Sequence, residues 1–290
     1  MFSADLLANA VVSGLLLGGF YAAVAIGLAI VFGQLDIVNI AHPAFVIVGS
    51  YTAYIFNTIF GFDPILVGLA SMPLFFAVGA AIYRVYYAAF ERTGQESLSG
   101  LAFFFGLMFI IEVTLILVYG VDYRLVSAGY SGNTWSIGYV DLPLRMLAPF
   151  LVAMALTAAV WLYLSRTFMG RAIQAVAQDR GALQLMGANP VRIKQWAFGL
   201  GIATAAVAGA LLIIIGPVEP SVGRQYIGRV FAIVVLGGMG SIQGMLIAAL
   251  LLGVIENMVS TFYGPSWAPA VAFGVLLATL AFRPSGIFGR

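Results

Sequence analysis

The sequence predicts an all-α, polytopic integral membrane protein with about eight transmembrane helices plus broken or re-entrant segments. Three observations carry this reading. Of 290 residues, 62% are hydrophobic and 8% charged, against about 25% charged in ordinary soluble domains. Several uncharged runs reach roughly 20 residues, the length a helix needs to cross about 30 Å of hydrocarbon. A soluble chain could not cover so much apolar surface. The chain therefore reads as a single transmembrane domain, 1–290, with full-length apolar segments near 6–32, 42–60, 64–88, 98–119, 147–165, 193–215, 241–262 and 267–283.

Taken in order, the first run is too long for the apolar region of a signal peptide. No Lys or Arg precedes Arg84, so it is expected to be a retained span. Between the first two segments lies DIVNIAHPAF (36–45), with the only histidine of the chain. Proline removes a donor and pushes its predecessor out of the α region, so Pro43 predicts a helix break. Asp36, Asn39 and His42, at i, i+3 and i+6, are expected to satisfy the freed groups. His42 in particular is expected to bond a carbonyl released by Pro43, a role compatible with lining a path.

The loop after segment three carries Arg84 and Arg92. The stretch 166–194 carries Arg166, Arg171, Arg180, Arg192 and Lys194 against Asp179 alone. Both face the cytoplasm by the positive-inside rule. The connection 120–146 is then external, with Tyr123, Tyr130, Trp135 and Tyr139 at the outer interface. Counting back gives an external N-terminus. Arg283 and Arg290 ask for a cytoplasmic C-terminus, which requires Val230–Met239, too brief for a straight span, to count as a crossing.

Within 170–194, apolar residues at Ile173, Val176, Ala177, Leu183, Leu185 and Met186 follow helical spacing, and Gly187-Ala-Asn-Pro190 stops that helix. It suits either a connector lying at the headgroups or a docking helix for a cytoplasmic partner. A second irregular region, Gly216–Ser241, combines two prolines with Gly237, Gly238 and Gly240 ahead of Ser241. Each such glycine would cost an ordinary helix about 1 kcal/mol. Irregular backbone at membrane depth lines a cavity or is buried in protein, and two broken segments in corresponding halves mark a transporter built from repeats. Glu112 and Glu256 fall inside apolar segments, where carboxylates are costly. Glu256 stands close enough to a segment end to reach the interface.

Enzymatic chemistry finds no support. One histidine supplies no multi-histidine metal site, and there is neither H-E-x-x-H nor a P-loop, since Lys194, the only lysine, follows no glycine loop. Absent cysteine excludes disulfides and thiolate metal sites. Catalytic residues, metals and nucleic-acid partners are not expected.

Four regions together resemble the smaller membrane subunit of branched-chain amino-acid ABC importers, the hydrophobic amino-acid uptake family. They are GLLLGGFYAAVAIGLAIVFG (14–33) with NIAHPAF (39–45) and GSYTAY (49–54), AVAQDRGALQLMGANPVRIK (175–194), VFAIVVLGGMGSIQGMLIAALLLGVIEN (230–257) and FRPSGIFG (282–289). The resemblance implies a multi-pass permease in the bacterial inner membrane. It implies a homologous second permease, two cytoplasmic ATPases that hold the ATP, and a periplasmic solute-binding protein as partners, with no cofactor on this chain. It makes 175–194 the coupling segment, with Ala175, Gln178, Asp179, Arg180, Leu183, Gly187 and Asn189 toward the ATPase. Asn39, His42, Gly237, Gly238, Gly240 and Ser241 are expected along the substrate path. The family commonly has glycine and an acidic residue after the histidine, where this chain has Pro43 and Ala44. Related importers of urea, short amides or aromatic acids therefore stand beside those of hydrophobic amino acids. An ion-coupled secondary transporter or channel using Glu112 or Glu256 is the alternative of another class.

Overall fold

A computed structural model describes residues 4–94, 97–138, 140–283 and 285–288. Tyr139 and Arg290 lie outside the described residues, as does the side chain of Arg180. Eleven α-helices follow in order: α1 (Ala4–Leu35), α2 (His42–Phe60), α3 (Pro64–Ala89), α4 (Ser97–Tyr119), α5 (Leu144–Arg166), α6 (Phe168–Gln178), α7 (Arg180–Leu185), α8 (Pro190–Ile215), α9 (Gly223–Gly237), α10 (Ile242–Tyr263) and α11 (Ala268–Phe282). A two-stranded antiparallel hairpin, β1 (Thr134–Ile137) and β2 (Val140–Pro143), precedes α5. Eight segments are long and apolar enough to cross a membrane, the last of them α11 together with the short turn before it (Pro265–Phe282); α9, at 15 residues, is not.

The helix ends follow from local chemistry. Pro43 sits in the first turn of α2, where its missing N–H costs nothing, and Gly61 ends that helix at φ 71°. Asp63 caps α3 by accepting from the Ile65 and Leu66 amides, and Ser241 caps α10 by accepting from the Gly244 amide at 3.0 Å.

The helices meet through glycines. Gly14 and Gly18 of α1 face Val254 and Leu250 of α10, Gly68 and Gly79 of α3 face Ala210 and Ile202 of α8, and Gly27 faces Gly201 where α1 crosses α8. Without a solvophobic force between helices in lipid, this close backbone approach supplies the packing. Gly209 is the tightest contact of α8 on α2: an added Cβ would lie 2.1 Å from the Val46 carbonyl oxygen and 2.5 Å from the Ser50 amide. Both are backbone atoms and cannot step aside, so Gly209→Ala is expected to destabilise by at least the ~1–3 kcal/mol typical of overpacking. Thermal unfolding of the detergent-purified protein measures this; an unmoved midpoint would contradict the contact.

These contacts also fix direction. The Asp141 amide donates to Asn9 Oδ1, and Arg124 pairs with Val218. The start of α1, the 120–143 connection and the region after α8 therefore share one end of the bundle, the outer end by the positive-inside rule. The Ile287 amide donates to the Leu236 carbonyl, so the C-terminal stretch lies at the opposite end with the end of α9.

Both halves use one plan. α1 descends from the outer end to Leu35. From Val24 to Leu35 it covers about 17 Å. Residues 36–41 climb a similar distance back, because His42 bonds the Val24 carbonyl, so α2 starts at mid-depth. In the second half α8 ascends to Ile215. Residues 216–222 then re-enter, and α9 begins at Gly223 beside Pro43 and Ile47, again at mid-depth. α3 runs along α8 and α10 along α1, so the second helix to span fully in each half packs on the first helix of the other. The halves thus have inverted topology, with α5 between them.

Candidate functional site

The first break begins where α1 ends. Asp36 is exposed at φ 58°, a left-handed conformation that ends the helix. Just before it, the Gln34 side-chain amide donates to the Gly240 carbonyl at 2.9 Å, and Gly33 touches the Gly240 amide. The two glycine and proline breaks, more than 200 residues apart, thus meet at the cytoplasmic end. In the second, Gly238 (φ 93°) and Gly240 (φ 87°) turn the chain from α9 into α10. Gly237 and Gly244 press together so closely that a Cβ on Gly244 would lie 2.0 Å from the Gly237 carbonyl. Gly240 and Met239 are exposed, whereas Gly237 and Gly238 are buried.

Two sequence expectations about the first break change. His42 does bond a backbone carbonyl, but it is Val24 of α1, 3.0 Å away, and not one released by Pro43. A carbonyl only accepts, so Nε2 carries the proton and Nδ1 is the free acceptor, with no partner in reach. Asn39, fully buried, bonds through neither amide atom. The polar side chains therefore do not repair the break locally: the His42 ring is turned into the seam between α1 and α8, beside Gly27. Asn39 and His42 sit inside the subunit at mid-depth, in the conformation described, rather than on an open face.

The membrane carboxylates are both held. Glu256 is 3% exposed. It accepts from Arg229 Nε at 2.7 Å and from the Tyr21 hydroxyl at 2.8 Å, binding α9, α10 and α1 together. It does not reach the interface, because α10 continues for almost two further turns before Tyr263. Glu112 of α4 pairs with Arg224 of α9 at 2.8 Å. Neither partner was legible, since arginines 27 and 112 residues away carry no local signal.

The segment between α5 and α8 is two helices, not one. Asp179 breaks it: its side chain accepts from the Gly181 and Ala182 amides and caps α7. Asn189 likewise accepts from Val191 and Arg192 and caps α8, and Gly187 turns between them at φ 79°. Leu183 is only 4% exposed and anchors the segment. The outward apolar residues are Leu185 at 92% and Met186 at 74%, beside exposed Gln178 and half-buried Ala175. Lys194 is withdrawn into a buried ion pair with Glu91, whose other oxygen accepts from Tyr83, so the start of α8 is pinned to the end of α3. This ties the segment rigidly to two membrane helices.

Outside, the 120–143 connection leans on the α2–α3 turn. Burial, with the nearby Asp63 carboxylate, pushes the Tyr130 phenol well above its ordinary range, so this contact stays neutral.

Known proteins are similar to this chain along nearly its whole length. The family described as branched-chain amino acid transport system, permease component, matches residues 10–280. The high-affinity branched-chain amino acid transport system permease protein BraD of Pseudomonas aeruginosa is 32% identical over 96% of this chain and 94% of its own. LivH of Escherichia coli, of the same description, is 29% identical over the same shares. LivM of Escherichia coli is 27% identical over 92% of this chain and 67% of its own. No solved structure matches. Matched over residues 10–280 and 32% identical to one of its members along 96% of its length, the chain belongs to the branched-chain amino-acid transport permease family.

Proposed function

We propose that this subunit forms half of the translocation path of an ABC importer for hydrophobic amino acids, above all branched-chain ones, in the bacterial inner membrane. The relatives named as permeases of branched-chain amino-acid systems support the substrate class. The similarity to both LivH and LivM supports a homologous second permease as partner. Two cytoplasmic ATPases hold and hydrolyse ATP, and a periplasmic binding protein delivers the solute at the outer end.

The observation that carries the reading is the α6–α7 segment. It presents Leu185 and Met186 outward from a base fixed by Leu183, Asp179 and Asn189, on a chain with no P-loop of its own. In this reading the ATPase grips that segment around Ala175, Gln178, Asp179, Arg180 and Gly187, and α8 and α3 carry the motion into the bundle. The breaks at Asn39–His42 and Gly237–Ser241 are the places that open. The glycines at 237, 238 and 240 let α9 swing against α10, and Ser241 keeps the start of α10 intact while it does.

Uptake by the four-part assembly in vesicles, driven by ATP and dependent on loaded binding protein, is the test. Uptake by this chain alone on a proton or sodium gradient would overturn the proposal. The Arg224 and Arg229 partners give Glu112 and Glu256 structural roles, which weighs against ion coupling. Pro43-Ala44 keeps urea, short amides and aromatic acids as the second substrate reading. A ligand screen on the cognate binding protein separates these from amino acids.

A further inference from the structure

Buried polar atoms without partners are rare in folded proteins, and each asks for an explanation. Among the described side chains they occur on Asn39, His42, Tyr51, Arg124 and Tyr130. Two of them come together at the outer end. Tyr51, on the outer half of α2, is 2% exposed, and its hydroxyl has no partner. Its ring lies 4.9 Å from that of Tyr119 at the end of α4. Arg124 follows closely in the chain: its Nη2 donates to the Tyr119 carbonyl at 3.1 Å, its guanidinium stands 5.7 Å from the Tyr54 ring, and its Nε is buried and unpartnered. The nearest ion-pair partner among the described residues, Asp122, is 3.8 Å away and mostly exposed, too long for a strong charge-assisted bond.

An opposite charge is built into the same corner. The backbone of Arg124 exchanges two hydrogen bonds with Val218, at 2.9 and 2.8 Å, which fixes Glu219 next to it on the re-entrant segment. Ser221 donates to one Glu219 oxygen at 2.8 Å, and no ion pair among the described residues takes the carboxylate. Tyr51 is joined to this corner through Tyr119, whose ring lies against its own and whose carbonyl Arg124 bonds. A cation and an anion in one corner, not bonded to each other and beside a buried phenol with a free hydroxyl, offer complementary groups to a ligand carrying both charges close together.

We propose that Arg124, Glu219 and Tyr51 form an outer receiving site for the zwitterion of an α-amino acid. The guanidinium Nε and the Tyr51 hydroxyl take the carboxylate, Glu219 takes the ammonium, and the rings of Tyr54 and Tyr119 flank the apolar side chain. The site lies on the outer stretches of the two elements that begin at mid-depth: Tyr51 is on α2, and Glu219 is on the segment leading into α9. This inference rests on the amino-acid reading above and adds to it which groups recognise the charged end of the substrate.

The experiment uses the assembled importer in vesicles, with binding protein loaded with radiolabelled leucine. Maximal uptake is expected to fall roughly tenfold in Arg124→Gln and in Glu219→Gln, and severalfold in Tyr51→Phe, which keeps the ring packing. Arg124→Lys is expected to recover part of the loss. The concentration of loaded binding protein that half-maximally stimulates ATPase should stay within about twofold of the unmodified value, since the loss lies after docking. Uptake unchanged in all three variants would overturn the proposal, leaving these groups to water. A rise in that half-stimulating concentration, with ATPase stimulation lost in parallel, would overturn it in favour of a protein-docking surface. If the unmodified assembly imports no amino acid, the functional reading has failed before this one is reached.

Discussion

Glu256→Ala is expected to be the most damaging single substitution in the membrane core. It leaves the largely covered Arg229 guanidinium without its carboxylate and removes the acceptor of the Tyr21 hydroxyl. Removing one member of a buried ion pair typically costs about 3–5 kcal/mol, because the stranded charge has lost its partner and cannot regain water. Here the effect is concentrated on α9, which is too short to be held by its own length and is fastened to α1 and α10 through Arg229. The variant is expected to lose folded yield in detergent and to lose transport in the assembled importer. Arg229→Met combined with Glu256→Leu should recover most of the stability, since replacing both charges removes the desolvation penalty with the attraction. Comparing the thermal unfolding of single and double variants decides the matter; equal losses would show that shape, not charge, holds this contact.

The second large effect belongs to the cytoplasmic segment. Leu185→Asp with Met186→Asp is expected to abolish ATP-driven uptake while leaving the fold intact. Both side chains are outside the packed core, and exposed substitutions away from special features usually change stability by less than about 0.5 kcal/mol. A charged pair where an apolar contact is needed would separate ATP hydrolysis from uptake, lowering the ratio of solute moved to ATP consumed. Leu183→Ala makes the contrast. This buried side chain anchors the segment, so its loss is expected to lower stability by about 2–5 kcal/mol and to weaken coupling only indirectly. If the double aspartate variant retains a normal transport-to-ATPase ratio, the ATPase does not grip this face.

The spans were legible because the bilayer imposes length and composition on every crossing. The two breaks were legible from Pro43 and from the glycines at 237, 238 and 240, whose backbone requirements are local. The partners were not. Arg229 and Glu256 are 27 residues apart and Tyr21 and Glu256 are 235 apart, and only the packing of α9 and α10 on α1 brings them together. Within 170–194, apolar periodicity suggested one helix, yet Asp179 followed by Gly181 and Ala182 already held the signature of a second helix start. The phase on either side of that cap decides that Leu183 points in while Leu185 and Met186 point out. His42 was right in kind and wrong in partner, since its carbonyl belongs to a helix 18 residues upstream.

The half-length of α9 bears on how the protein is made. An arginine at the centre of an inserting helix costs about 2.5–3.5 kcal/mol, and α9 carries Arg224 and Arg229 within 15 residues. It is a poor candidate for entering the bilayer unaided as it leaves the ribosome. One of its neutralising partners, Glu112 on α4, has been synthesised by then. The other, Glu256, lies on α10 and emerges only afterwards. α9 is thus completed by a segment that follows it, and the last third of the chain assembles against its order of synthesis.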